Sequence, residues 1–291
     1  MTRKGVWNLQ QVRDKYLQSL WEQSYSLFSW GRNDNMGGLG HNNITAISSP
    51  KQVGSQTDWK SVTAGGLGVF LGTKTDGTLW VSGGGAPSSG NTYGQLGLNS
   101  RAGYSSPVQV PGTTWDVVGS ADSSTLALKT DGTLWSWGSG AYGSLGHGSF
   151  TPTLRYSSPV QIGSDTTWQH LSGGKGLFAA IKTDGTIWSW GYGSQGQLGL
   201  NDKTTYSSPK QIPGTNWNTL QIVANQYGYA ALKTDGTAWG WGRNYLGGLG
   251  VNVDGSTTGA FSSPTQIAAT DGWIGAMTGV GVYVGAGLRS L

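Results

Sequence analysis

The sequence predicts an all-β fold: a β-propeller of five repeats closed by pairing of its N- and C-terminal strands and preceded by a short amphipathic helix. Three observations carry that expectation. A block built around a tryptophan-rich strand recurs five times, four of the blocks are closed by the turn "KTDGT", and 51 Gly and 15 Trp accompany only 11% charged residues. Glycine at this level without a three-residue period excludes collagen, and so many large aromatics argue against disorder. With 291 residues, the chain can bury a sizeable core.

The blocks open at "LFSWG" (27), "LWVSG" (79), "LWSWG" (134), "IWSWG" (187) and "AWGWG" (238), spaced in the range of propeller blades. Each continues through a glycine-rich loop to Leu-Gly (Leu39, Leu96, Leu145, Leu198, Leu249), then Ser-Ser-Pro (Pro50, Pro107, Pro159, Pro209, Pro264), then a lone tryptophan (Trp59, Trp115, Trp168, Trp217, Trp273). A small-residue strand such as "TLALKTDG" ends the block. The turn aspartates Asp76, Asp131, Asp184 and Asp235 each precede a glycine, and Asp-Gly between extended runs is a strong hairpin signal because glycine supplies positive φ.

Strand alternation puts Trp135 and Trp137 on one side of a blade and Leu134 and Ser136 on the other. A large ring set against small residues of the neighbouring blade then fills the wedge between them. The first block has no preceding hairpin partner, and the last ends on a strand whose partner is missing. In a ring the two can share one blade, which removes both exposed edges; an open solenoid would leave them.

These elements resemble the repeats of the regulator of chromosome condensation family, which carry a "WSWG…GQLG…P" pattern; "WGYGSQGQLG" (190–199) and its relatives occur in register five times. The resemblance covers residues 27 to about 288 and implies a β-propeller. Well-known members close with seven blades, so five repeats imply a five-bladed ring or a ring completed by a partner, and strand sharing favours five blades. Nucleotide exchange on a small GTPase and nucleosome binding are not carried over, because the segments they depend on are not matched. Nor is ultraviolet-B sensing, which in a plant member uses a "GWRHT" setting absent from this sequence.

Residues 1–26 lie outside the period and form an arm. "NLQQVRDKYLQSLWEQ" places Leu9, Val12, Tyr16, Leu20 and Trp21 on one helical stripe, with Asn8 as N-cap and Gln11 in a capping-box position. Together with Trp7 these residues are the candidate anchor, either packing on the propeller of residues 27–291 or docking it to a larger assembly. "RKGVWNLQQVRDKYLQSLW" also resembles the openings of virion proteins from marine tailed phages.

Little in the composition points to chemistry. The absence of cysteine excludes disulfides, zinc–thiolate sites and thiol nucleophiles. The net charge of +4 is thinly spread; without a Lys/Arg cluster, nucleic acid is not an expected partner. No apolar run reaches the length of a membrane span or a signal peptide. The only glutamate is Glu22, and His41, His147 and His170 are scattered, although His41 and His147 share one repeat position. "GSGAYGSLG" lacks the lysine and following helix of a phosphate loop. A glycosidase would need paired carboxylates, for which Asp122 and Asp165 stand outside the turns. No catalytic residue, metal site or cofactor is expected.

Variation concentrates in loops after the tryptophan pair and after Leu-Gly, where specificity can change without disturbing the core. They supply the candidate partner-binding residues Arg32, Tyr93, Arg101, Tyr142, Arg155, Tyr192, Lys203 and Arg243. The second block is the outlier, with Ser82 replacing the second tryptophan and a longer loop, "GGAPSSGNTY"; it is either repacked locally or a recognition loop. The leading functional expectation is a non-enzymatic virion protein of a tailed phage, of structural, decoration or tail-fibre type. It would bind other virion proteins through the arm and a host-surface glycan or receptor through the loops. The alternative is a cytoplasmic protein–protein interaction scaffold.

Overall fold

The computed structural model describes residues 24–33, 37–84, 91–151, 153–225, 228–244, 249–251, 259–267, 278–279 and 285–286. All named strands are antiparallel. First come β1 (Phe28–Gly31) and β2 (Ile47–Gln52), paired with each other. Then β3 (Trp59–Gly65), β4 (Val69–Lys74), β5 (Leu79–Gly83) and β6 (Tyr104–Val110) form a four-stranded sheet in chain order. The same sheet recurs as β7 (Trp115–Ala121), β8 (Ser124–Lys129), β9 (Leu134–Ser139) and β10 (Arg155–Gln161), and as β11 (Trp168–Gly174), β12 (Leu177–Lys182), β13 (Ile187–Gly191) and β14 (Tyr206–Gln211). A fourth copy holds β15 (Trp217–Asn225), β16 (Gly228–Lys233), β17 (Ala238–Arg243) and β18 (Ala260–Gln266). Last, β19 (Thr278–Gly279) pairs with β20 (Gly285–Ala286).

Repeat and sheet are out of phase. The tryptophan-pair strand and the Ser-Ser-Pro strand are the third and fourth strands of one sheet, while the lone tryptophan opens the next. The first strands stand side by side in the succession β3, β7, β11, β15, β19, as blades do around an axis. Among the described residues, no pairing joins β1–β2 to β19–β20. The expected helix, with Trp7, Leu9, Val12, Tyr16, Leu20 and Trp21, lies outside them. Tyr25, assigned above to the arm, forms a parallel bridge with Asp58.

The core consists of the junctions between blades. Trp137 is fully buried with Leu71, Val81 and Leu96 of the preceding blade, and Trp135 packs against the same cluster. Leu134 instead joins Trp168, Phe178 and Trp190 of the following blade, so the two faces of β9 divide as the alternation predicts. Trp137, Trp190 and Trp241 each rest on the Leu-Gly of the preceding repeat. A Cβ on Gly97, Gly146 or Gly199 would lie 2.7 Å from Trp137, 3.0 Å from Trp190 or 2.8 Å from Trp241, and all three glycines have φ between +71° and +78°. The ring nitrogens of Trp137 and Trp190 donate to the carbonyls of Gln95 and Ser144, both at 2.9 Å. Where Ser82 replaces the indole, its hydroxyl donates to the Gly38 carbonyl, and Phe70 stands opposite it in register.

The "KTDGTxW" turns are locked by their own side chains. Asp131 Oδ1 accepts from the Thr133 backbone N–H (3.0 Å) and hydroxyl (2.6 Å), and the Trp135 ring nitrogen donates to Thr133 Oγ1 (2.8 Å). The same relay occurs at Asp76, Asp184 and Asp235. Lys129 Nζ lies 4.9 Å from the Trp115 ring and 4.1 Å from the Trp135 ring, within cation–π range of both. Lys74, Lys182 and Lys233 sit between equivalent indoles. The hydrogen bonds from Thr133 hold the Asp131 carboxyl below its ordinary pKa. At Asp165 burial opposes ionisation, but hydrogen bonds from Lys182 (2.5 Å) and Thr167 outweigh it and bring the pKa to about 2.

Two outcomes are expected. Gly199→Ala strains a positive-φ backbone against a buried indole and should cost about 2 kcal/mol in urea unfolding, whereas Gly259→Ala, where φ is outside the left-handed range and a Cβ would meet only Asn244 Cβ at 3.8 Å, should stay within about 0.5 kcal/mol. Because the folded-state carboxyl pKa values are depressed, their stabilisation is fully present above the unfolded value of about 4 and is lost as pH falls towards about 2. The urea midpoint should decline over that window, and Asp165→Asn should shallow the decline.

Candidate partner-binding face

The strand directions give each blade two distinct ends. The inner turn between β7 and β8 (Asp122, Ser123) lies beside the start of the β9–β10 loop, because the Ser139 N–H donates to the Ser123 carbonyl at 2.9 Å. The "KTDGT" turns and the links between blades occupy the opposite end. All the loops that vary between repeats therefore emerge on one face, together with the inner hairpin turns.

Those loops are tied down at both limbs. Buried Asn91 accepts from the Leu96 N–H and donates to the carbonyls of Ser100 (2.8 Å) and Ala102 (3.0 Å). Asn33 does the same with Leu39, Asn43 and Thr45, and Asn244 accepts from the Leu249 N–H. Beyond Leu-Gly, the chain clips onto the Ser-Ser-Pro strand of the next blade. The N–H groups of Asn42, Asn99, Gly148 and Asn201 donate to the carbonyls of Ser105, Ser157, Ser207 and Ser262 at 2.7–2.8 Å. Variable tips thus ride on a fixed frame.

All eight candidate residues belong to this end, and the structure joins four of them across blade boundaries. The Arg155 guanidinium lies 4.8 Å from the Tyr93 ring of the preceding blade. Tyr142 meets Tyr192 of the following blade with ring centroids 4.9 Å apart and planes at 58°. Tyr142 is 58% exposed and holds φ 59°, ψ 18°, a left-handed conformation that is uncommon for a bulky residue. Arg101 and Lys203 are exposed on their loops. Arg243 ends β17, and Arg32 lines a groove beside Phe28 and Trp30. The eight do not converge on a single point.

Sequence reasoning missed the inner turns. A Cβ on Gly176 would lie 3.4 Å from Tyr142 and 3.7 Å from Tyr192, so exposed Lys175 sits next to the tyrosine pair. Asp122, in the preceding blade's equivalent turn, has its pKa raised by desolvation against the pull of Lys175. Nothing in the repeat marks these positions, because inner turns do not vary in an obvious motif. The buried asparagines had a signal, a residue five or six before the Leu of Leu-Gly, in three of the five repeats.

Two Ser–His pairs invite comparison with hydrolases. The Ser136 hydroxyl lies 3.0 Å from His147 Nε2 and 2.7 Å from the Leu145 carbonyl; Ser29 repeats this with His41 and Leu39. Since the serine donates to the carbonyl, Nε2 must carry the proton and donate to the serine. Desolvation also lowers the His147 pKa. A ring in that tautomer offers the hydroxyl no lone pair, so it does not activate a nucleophile. Asp122 and Asp165 lie at opposite ends of the blades and do not form a carboxylate pair.

Comparison with known proteins agrees with this architecture. The family model "Regulator of chromosome condensation (RCC1) repeat" matches residues 131–181 and 184–228. Human E3 ubiquitin-protein ligase HERC2 is 30% identical over 84% of this chain and 5% of its own length. The Arabidopsis thaliana Ultraviolet-B receptor UVR8 is 29% identical over 78% of this chain and 51% of its own length. The chain thus spans about half, or much less, of these relatives. Among solved structures, Prp20p from Saccharomyces cerevisiae aligns with a TM-score of 0.72 at 20% identity, covering 88% of this chain and 63% of Prp20p. Human WBSCR16 aligns with a TM-score of 0.71 at 22% identity, covering 91% and 66%. Residues 131–181 and 184–228 are therefore repeats of the RCC1 type, set in a chain with the β-propeller fold.

Proposed function

We propose that this chain is a non-enzymatic protein-interaction scaffold whose partner docks on the loop end of the blades. One observation carries the reading. Apart from Phe28, Trp30 and Val62, which line the β1 groove, and Tyr25 just before β1, the exposed large apolar side chains among the described residues are Ile44, Tyr142 and Phe150, and these three lie in the variable loops. Exposed apolar groups gathered on one face mark interaction sites, and the anchored loops leave little ordering entropy to be lost on binding. The relatives named above are cellular proteins and favour this reading over the virion one, which draws no support from them. Yeast Prp20p, of the same fold, binds Gsp1p and histones; that is an analogy of fold alone. No helix among the described residues is long and apolar enough to cross a membrane.

The test is affinity capture from the source cell with three baits. Proteins retained by wild type and by Lys60→Ala, a change away from the loops, but lost with a Tyr142→Asn/Phe150→Ser double variant would locate the partner face. Equal capture by all three would remove the reading.

We also infer that the ring closes as five blades. A groove of about 340 Å³ lies between Leu27, Phe28 and Trp30 on one side and Val62, Ala64 and Phe70 on the other. Val62 in β3 is 54% exposed, whereas its register equivalent Val118 in β7 is 4% exposed. At the other junctions β4 touches β7, β8 touches β11 and β12 touches β15. The groove is where the inner strands of a fifth blade belong, and β19–β20 followed by β1–β2 supplies the right order. Asn252 is then the counterpart of Asn42, whose side chain bonds to Ser106 across a junction. In this cysteine-free chain, Ser49→Cys with Asn252→Cys should cross-link within a monomer on oxidation. Dimers linked through the same pair would mean that the ring is completed by a partner.

A further inference from the structure

The apolar side chains read above as the docking surface belong to two loops. Ile44 lies between β1 and β2, and Tyr142 and Phe150 lie between β9 and β10. Those are also the two loops whose stems hold a histidine. In the other three repeats the residue after Leu-Gly is Leu98, Leu200 or Val251, each packed on an apolar cluster; here it is His41 or His147.

Each histidine pins its stem. His147 Nε2 donates to Ser136 Oγ of β9, whose own proton goes to the Leu145 carbonyl, and the ring stands 5.3 Å from the Tyr156 ring of β10 with the planes at 89°. It lies between Gly146, the seat of Trp190, and Gly148, whose N–H clips onto the Ser207 carbonyl of β14. His41 makes the same bond to Ser29 and directly precedes Asn42, which clips onto Ser105 of β6. A second ring proton would fall on Nδ1 and charge a partly desolvated ring whose serine neighbour is already committed. The charged groups on the packed strands are cations. Lys51 of β2 opposes protonation of His41, while Arg155 of β10 and Lys210 of β14 lean on Tyr93 and Tyr206; β1, β6 and β9 carry no charged residue. Burial holds both histidines below the ordinary pKa of 6.5. The stabilisation they give is therefore fully present above about 6.5 and is lost as pH falls towards the lower folded-state value.

Resting on the reading of this face as the docking surface, we infer that its two histidine-pinned loops are a proton-sensitive gate: neutral His41 and His147 hold the loops in docking shape, and their protonation frees the loops and weakens the partner's hold. Histidine is the side chain suited to such a response near neutrality. The sister loops, with leucine in its place, are pinned by packing alone and have nothing to titrate there.

The experiment measures hydrogen exchange of four clip amides in the full chain at pH 7.5 and 5.5, corrected for intrinsic rates. Protection of Asn42 and Gly148 should fall about fivefold at the lower pH, against a ceiling of about tenfold one unit below the ordinary value. Asn99 and Asn201, which clip the sister loops in the same way, should change less than about twofold. His147→Gln keeps an N–H for Ser136 and cannot titrate, so Gly148 should stay protected at both pH values; His147→Leu, the residue of the sister repeats, gives a second variant should the glutamine form fold poorly. Proteins captured through the loops at pH 7.5 should be retained severalfold less at pH 5.5 by wild type, and equally at both by the His41→Gln/His147→Gln double variant. Equal response of all four clips, no response of any, or an unchanged response of Gly148 in both His147 variants would overturn the inference. If capture maps to the loops while the clips respond alike, the gate alone falls; if capture ignores the loops, the docking surface falls and the gate with it.

Discussion

The contact between one blade's second tryptophan and the Leu-Gly of the repeat before it governs the rest of the molecule. The indole is too large to share its site with any Cβ, and the glycine is held at a positive φ that few other residues adopt cheaply. Each half of the contact therefore constrains the other. A propeller has no single central core, so the hydrophobic stabilisation of the chain is the sum of such junctions, each burying a ring whose loss would typically cost about 3–5 kcal/mol. The junction also fixes where the loops begin, because the glycine that seats the indole is the last residue before the segment that clips onto the next Ser-Ser-Pro strand.

The two ends of the blades use their polar residues differently. At the turn end, aspartate, threonine and tryptophan form a closed relay, and lysine stems lie between indoles with the ammonium over the ring faces. Those charges are consumed by the fold. At the loop end the polar groups doing structural work are uncharged: buried asparagines tie the loop limbs and backbone amides clip blade to blade. Arg101, Arg155 and Lys203 there are exposed. The two ends of the blades thus differ in chemistry as well as in position.

Much of this was legible in the sequence, and the limits are instructive. The hairpin turn, the alternation of Leu134 and Ser136 against Trp135 and Trp137, and the small residue facing each ring follow from local rules of strands and turns. The eight candidate residues were chosen because loop length and polarity change around them, and they fall at the loop end of the blades, with Arg155 opening β10 and Arg243 closing β17. What could not be read was adjacency. Tyr93 with Arg155 and Tyr142 with Tyr192 are contacts between different blades, and no spacing within a repeat encodes which loops lean on each other. Lys175 went unnoticed, and Asp122 was weighed only as half of a carboxylate pair, because an inner turn acquires meaning only when a neighbour's loop is folded over it.

The sequence by itself determined the strand content, the turn chemistry and the number of repeats, because these depend on residues within a few positions of one another, where backbone preference and side-chain alternation act. Tertiary structure alone decided that sheet and repeat are out of phase, which glycine of one repeat seats which indole of the next, and which loops of neighbouring blades lean on each other. Those are properties of how neighbouring blades meet, and the energies that set them, close packing and desolvation, exist only once the surfaces are in contact.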